Sequence, residues 1–152
     1  MMSCDTNVLF AALDSDSVHH AAAIAYLNGQ RESEQFGLCE LVLVELYGLL
    51  RNPTVSKHPQ NGTEATHIIQ RFRSHPYWLI LDYPGPQAGV MNRLWELAAK
   101  GDFPYGKVYD ARLALTLRHH GVTEFATRNI KDFQGFGFKR VWNPLAEITL
   151  TL

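Results

Sequence analysis

Three acidic residues carry the strongest chemical signal in this chain. Asp5 closes the short opening Met1-Met2-Ser3-Cys4. Glu45 interrupts Leu41-Val42-Leu43-Val44-Glu45-Leu46-Tyr47, and Asp110 opens Asp110-Ala111-Arg112-Leu113-Ala114-Leu115. Carboxylates are rarely buried unless paired or bound to a cation. Gathered into one pocket they repel one another, and a hard divalent ion with oxygen ligands relieves that repulsion. Mg²⁺ or Mn²⁺ held by Asp5, Glu45 and Asp110 would orient a phosphodiester, activate a water and stabilise the leaving oxygen. The chemistry expected is metal-dependent phosphodiester hydrolysis.

Each acid also has a structural explanation. Asp5 suits a cap for the following helix, as do Thr6 and Asn7. Asp110 suits the positive end of a helix dipole. Glu45 is harder to explain that way: on a helix it neighbours Leu41, Val42, Gly48 and Leu49, so its carboxylate is expected to lose hydration. Arg51, six positions on, would not face it. A further segment, Thr127-Arg128-Asn129-Ile130-Lys131-Asp132-Phe133, offers more polar groups. The Asn129 amide could hold a water of the ion's shell, Asp132 could add charge from behind, and Thr127 could hydrogen-bond a ligating carboxylate. Asn and Asp equally suit a turn. Arg112, Arg128 and Lys131 could steady a nucleic-acid backbone, or be ordinary exposed charges. Phe103 and Tyr105 could stack on bases, or cover the core edge. The seven histidines form no metal motif; His19-His20 and His119-His120 are adjacent pairs that point apart on a helix.

These residues need a scaffold that brings them together. A strand is expected at Met2–Cys4, a helix at Val8–Leu13, and a second helix at Val18–Asn28, capped by Ser17 and stopped by Gly29. Phe36–Cys39 reads as a strand. Leu41–Arg51 fits a buried strand or a helix, and its length and its end at Asn52-Pro53 favour helix. Residues 52–62 form a loop, and Thr63 caps a helix at Glu64–Ser74. Tyr77–Leu81 is a strand. A helix follows from Pro86 to about Lys100, then a loop at Gly101–Lys107. Asp110–His120 is an amphipathic helix stopped by Gly121. Glu124–Thr127 and Arg140–Trp142 are the last strands. Strands alternating with helices imply a parallel sheet covered on both faces, with ligands beyond the carboxyl ends of its strands.

The 152 residues suit one domain spanning 1–152, with 46% hydrophobic and 19% charged residues. No apolar stretch approaches the roughly 20 residues of a membrane span. The N-terminus lacks a secretory pattern, so a cytoplasmic protein without membrane association is expected. Two cysteines, Cys4 and Cys39, are too few for a disulfide scaffold or a four-ligand zinc site, and fit buried reduced thiols. Net charge is −1, but residues 100–152 hold eight Lys or Arg against five acids. That distribution suits a nucleic-acid enzyme as well as an ordinary solvated surface.

The ordered set of motifs resembles the PIN domain, most closely the VapC-type toxins of bacterial toxin–antitoxin modules. It comprises Cys4-Asp5-Thr6-Asn7-Val8-Leu9, Glu40 through Tyr47, Asp110-Ala111-Arg112-Leu113-Ala114, Ala126 through Phe133, and Trp142-Asn143-Pro144-Leu145. The resemblance implies a three-layer α/β/α fold with a central parallel sheet and Mg²⁺- or Mn²⁺-dependent RNA cleavage. Asp5, Glu45 and Asp110 match the family's three core acids. Asn129 falls where many members carry a fourth acid, which leaves Asp132 as a substitute. The resemblance also implies a cognate antitoxin, homodimerisation, and a link to DNA only through the antitoxin. Two alternatives remain: a PIN-like module that grips RNA or antitoxin without cutting, and a DNA-directed nuclease with the same carboxylates.

Overall fold

The computed structural model describes residues 1–146; the last six residues of the expected 1–152 domain lie outside the described residues. Among the described residues five short strands alternate with six helices. They are β1 (Met2–Cys4), α1 (Thr6–Leu13), α2 (His20–Gly29), β2 (Gly37–Cys39), α3 (Glu40–Arg51), α4 (Gly62–Arg73), β3 (Leu79–Leu81), α5 (Val90–Ala98), α6 (Lys107–His119), β4 (Glu124–Ala126) and β5 (Arg140–Trp142). Short 3-10 turns at Pro86–Ala88 and Ile130–Phe133 complete the chain.

All strand pairings are parallel. β1 pairs with β4, with Cys4 opposite Ala126, and β4 pairs with β5. β2 pairs with β3, and a parallel bridge between Met2 and Phe36 joins the two groups. The order across the sheet is therefore β3-β2-β1-β4-β5. From β1 the chain winds outward to β3, then crosses back to place β4 on the other side of β1. Right-handed crossovers in opposite directions put α1–α4 on one face and α5–α6 on the other. The result is a three-layer α/β/α fold. The strands carry few polar side chains because both faces are covered. Phe36, Phe125 and Phe133 are fully buried, and the Phe125 and Phe133 rings meet edge to face at 4.8 Å.

Several boundaries differ from those expected. α1 starts at Thr6, directly after its cap Asp5, two residues earlier than Val8. α2 starts at His20, because the Ser17 hydroxyl accepts from the His19 N–H in a local turn instead of capping a helix. α4 is capped by Asn61, not Thr63: Asn61 accepts from Glu64 N–H while the Glu64 carboxylate accepts from Asn61 N–H, a reciprocal capping box. Gly89, at φ +70°, breaks the long helix expected from Pro86. α6 begins at Lys107, because the Pro104–Lys107 turn runs straight into it. Asp110 therefore sits within the first turn, and Gly106 occupies the cap position.

Both cysteines are buried and free. No helix among the described residues is long and apolar enough to cross a membrane.

Candidate active site

The crossover that returns the chain across the sheet creates a switch point between β1 and β4. Ligands in open parallel sheets bind there, beyond the strand ends. Asp5 follows β1 and Thr127 follows β4, so neighbouring strands deliver both to the same place. The Asp5 N–H donates to the Ala126 carbonyl at 2.9 Å, extending the strand pairing right up to the carboxylate.

Asp5 is nearly buried and heavily hydrogen-bonded. Its Oδ1 accepts from the Thr6 N–H at 2.8 Å. Its Oδ2 accepts from the Thr127 hydroxyl at 2.6 Å and from the Asn7 amide at 3.1 Å. The capping role is thus real, and it coexists with a chemical one. A carboxylate offers about four acceptor sites, so three bonds leave one free. Burial pushes the Asp5 carboxyl above its ordinary range; bonds from Thr127 and Thr6 oppose this, and the nearby Glu45 charge adds to it.

Glu45 reaches the same pocket from α3, and here one expectation is corrected. Its side chain is exposed, not buried on an apolar face. The helix buries Val42, Leu43, Leu46 and Leu50, while Leu41, Glu45 and Leu49, spaced by four, line the pocket. The Thr6 hydroxyl donates to Glu45 Oε2 at 3.1 Å, tying α1 to α3 across the site. Arg51 bonds to the Tyr47 hydroxyl.

Asp110 arrives from α6 on the opposite layer. It is partly buried, and its carboxyl is raised by burial first, then by the charges of Asp132 and Asp5, with Lys107 opposing. Asp132 is exposed and is not part of the pocket wall, but it stands close enough for its charge to act on Asp110. Asn129 lines the pocket, with its backbone N–H donating to Thr127 Oγ1 at 3.0 Å. Arg112 also lines it, and its Nε is buried without a hydrogen-bond partner among the described residues. Arg128 and Lys131 are exposed. Tyr105 is 96% exposed, and Phe103 lies outside this pocket.

The pocket, of about 460 Å³, therefore gathers Asp5, Glu45 and Asp110 with Asn129 at its wall. Among the described residues none of the three acids has a basic partner at ion-pair distance. Among the described residues no three His, Cys, Asp or Glu side chains stand together closely enough to hold a metal ion by themselves. An open set of carboxylates without basic partners among the described residues, with Asp5 and Asp110 raised first by burial and then by neighbouring negative charge, fits a hard cation that keeps waters and takes only one or two carboxylates directly. The sequence reading missed two site residues. Asn7 bridges Asp5 and Thr127 and accepts from the Arg128 N–H through its Oδ1, and Tyr109 lines the pocket while 67% exposed. In the sequence Asn7 stands as a helix-capping type and within the Cys4–Leu9 motif; its bridging role depends on a strand far away in sequence.

A PIN domain family model matches residues 2–139. The chain is 50% identical over 145 residues to Ribonuclease VapC24 of Mycobacterium tuberculosis, covering 95% of this chain and 97% of that one. Among solved structures it is similar in fold to FitAcB from Neisseria gonorrhoeae (TM-score 0.65, 21% identity, 97% and 100% of the two chains). It is also similar to Mycobacterium tuberculosis VapC20, described as a sarcin-ricin loop cleaving toxin (TM-score 0.61, 15% identity, 82% and 87%). A third is VapBC2 from Rickettsia felis bound to a DNA fragment from its promoter (TM-score 0.62, 18% identity, 93% and 97%).

Proposed function

The chain belongs to the PIN domain family, and on that premise we propose that it is a divalent-metal-dependent endoribonuclease acting as the toxin of a toxin–antitoxin pair. The observation that carries this reading is the convergence of Asp5, Glu45 and Asp110 on one pocket without basic partners among the described residues. Asp5 would hold the ion through its remaining acceptor site, with Glu45 and Asp110 binding it directly or through water. Mg²⁺ or Mn²⁺ bound there supplies Lewis acidity toward water and toward the phosphodiester oxygens.

The protein's own groups do the rest. Thr127, Thr6 and Asn7 fix the Asp5 carboxylate in one orientation. Thr6 also fixes Glu45, so α1 sets the spacing of two acids at once. Asn129 offers its amide at the pocket wall for a polar contact, and Asp132 adds negative charge behind Asp110. Arg112, which lines the pocket beside the acids, would steady a phosphate oxygen of the RNA with its guanidinium. The toxin reading also brings a cognate antitoxin as partner, a homodimer, a cytoplasmic site of action and a single domain over the full 152 residues. DNA enters only through the antitoxin. The antitoxin complexes among the fold relatives support the first of these.

The test is RNA cleavage by purified protein with Mg²⁺ or Mn²⁺, with chelator, and with Asp5→Asn. Activity should require the ion and disappear in the variant. Full activity in Asp5→Asn sinks the site assignment. Preferential cleavage of matched DNA would favour the DNA nuclease, and Mn²⁺ and RNA binding without cutting would favour the binding module.

A further inference from the structure

A second groove, of about 710 Å³, lies between α5, the start of α6 and the segment after the Ile130–Phe133 turn. Arg93, Lys100, Lys107, Phe103 and Phe136 line it, with Glu96 as its one acid. Arg93 and Lys100 are exposed, while Lys107 and both rings are partly buried. None of the three cations is at ion-pair distance from a carboxylate among the described residues. The Lys107 ammonium lies 5.9 Å from the centre of the Phe136 ring.

Helix α6 lines both this groove and the acid pocket. Lys107 precedes Asp110 by three residues on α6, about one helical turn, and so shares its face. Asp132, whose charge acts on Asp110, precedes Phe136 of the groove by four residues in the chain. A polyanion with one phosphate at the acids would meet Lys107 one turn away on α6, in the groove that Lys100 and Arg93 also line. Net positive charge is what a nucleic-acid backbone requires, and half-exposed aromatic rings suit unstacked bases better than a closed duplex.

We propose that this groove holds the single-stranded RNA flanking the cut, with Arg93 and Lys100 taking backbone phosphates and Phe103 and Phe136 forming the apolar floor for a base. The proposal rests on the ribonuclease reading, and its test is built on binding so that the two can fail separately. An unstructured, fluorescently labelled RNA of about 20 nucleotides is titrated by anisotropy in Mg²⁺, in an Asp5→Asn background that isolates binding from cutting. Arg93→Gln/Lys100→Gln should weaken binding by about tenfold or more and flatten the salt dependence by about 1.4 log units per log unit of salt, at about 0.7 per phosphate contact. Lys57→Gln/Arg71→Gln removes the same charge elsewhere on the surface and should leave both quantities unchanged. All four side chains are exposed, and thermal melts verify folding. Equal losses in the two double variants, or no loss in the first, overturn the proposal. A wild-type protein that cuts no RNA sinks the nuclease reading, while the binding comparison still decides the groove.

Discussion

The Thr127 hydroxyl donates to Asp5 Oδ2 at 2.6 Å, joining two residues 122 positions apart at the ends of adjacent parallel strands. The same oxygen of Thr127 accepts from the Asn7 amide and the Asn129 N–H. A single hydroxyl therefore ties the chain's first strand, its first helix and the loop after β4 to the carboxylate at the centre of the site.

Thr127→Val keeps the shape and removes all three bonds. Leaving buried polar groups unsatisfied costs about 1–3 kcal/mol. Thr127 also holds the Asp5 carboxyl down against burial, so its loss lets protons compete better with a metal ion. Titration calorimetry with Mn²⁺ should show affinity reduced by about 10–100-fold, the usual effect of removing a group that orients a ligand. Unchanged affinity would mean that Asp5 does not carry the ion.

The pH dependence of the metal-free protein has a defined sign. Asp5 and Asp110 are both raised above the ordinary carboxylate value of 3.8. The folded state therefore binds more protons than the unfolded state as pH rises past that value, and stability from these two groups is present at or below it and lost as pH climbs through their folded values. Asp110→Asn removes one of the charges. In chelator, the melting temperature of the variant should gain on wild type as pH rises above the ordinary carboxylate value of 3.8. A difference that stays constant as pH rises would show that the Asp110 carboxyl is not raised in the folded protein, and excess Mg²⁺ should abolish any gain.

Glu45→Gln separates chemistry from stability. The side chain is exposed, and Gln still accepts from the Thr6 hydroxyl. Stability should stay within about 0.5 kcal/mol of wild type. Metal-dependent RNA cleavage should fall by orders of magnitude. A large drop in melting temperature with activity retained would assign Glu45 a structural role instead.

Asn129→Asp adds a carboxylate at the pocket wall. Coulomb attraction should strengthen Mn²⁺ binding several-fold and lower the melting temperature of the metal-free protein by repulsion. Calorimetry that shows identical binding in the two proteins would place the side chain out of reach of the ion.

The fold was legible because each element carries its own local signal: short apolar strands, helices between them, and glycine stops such as Gly121, at φ +81°. Boundaries were less legible where several capping residues stand together. Asn61-Gly62-Thr63-Glu64 holds two cap candidates, and the reciprocal bonds with Glu64 select Asn61. The acids were legible by type and by the order of their motifs. The environment of Glu45 was not. Its run of apolar neighbours suggested burial, but helical spacing turns Val44 and Glu45 outward, and Val44 is itself 70% exposed. The part played by Asn7 was hidden for another reason: its partners Thr127 and Arg128 meet it only through sheet pairing.

The position of β4 between β1 and β5 has a consequence for translation. A growing chain emerges N-terminus first, so β1 reaches the ribosome exit long before its neighbour exists. Asp5 then lacks Thr127, and Asn7 lacks the loop it anchors. A polypeptide cut short before residue 127 carries all three acids but not the latch that aligns the first of them.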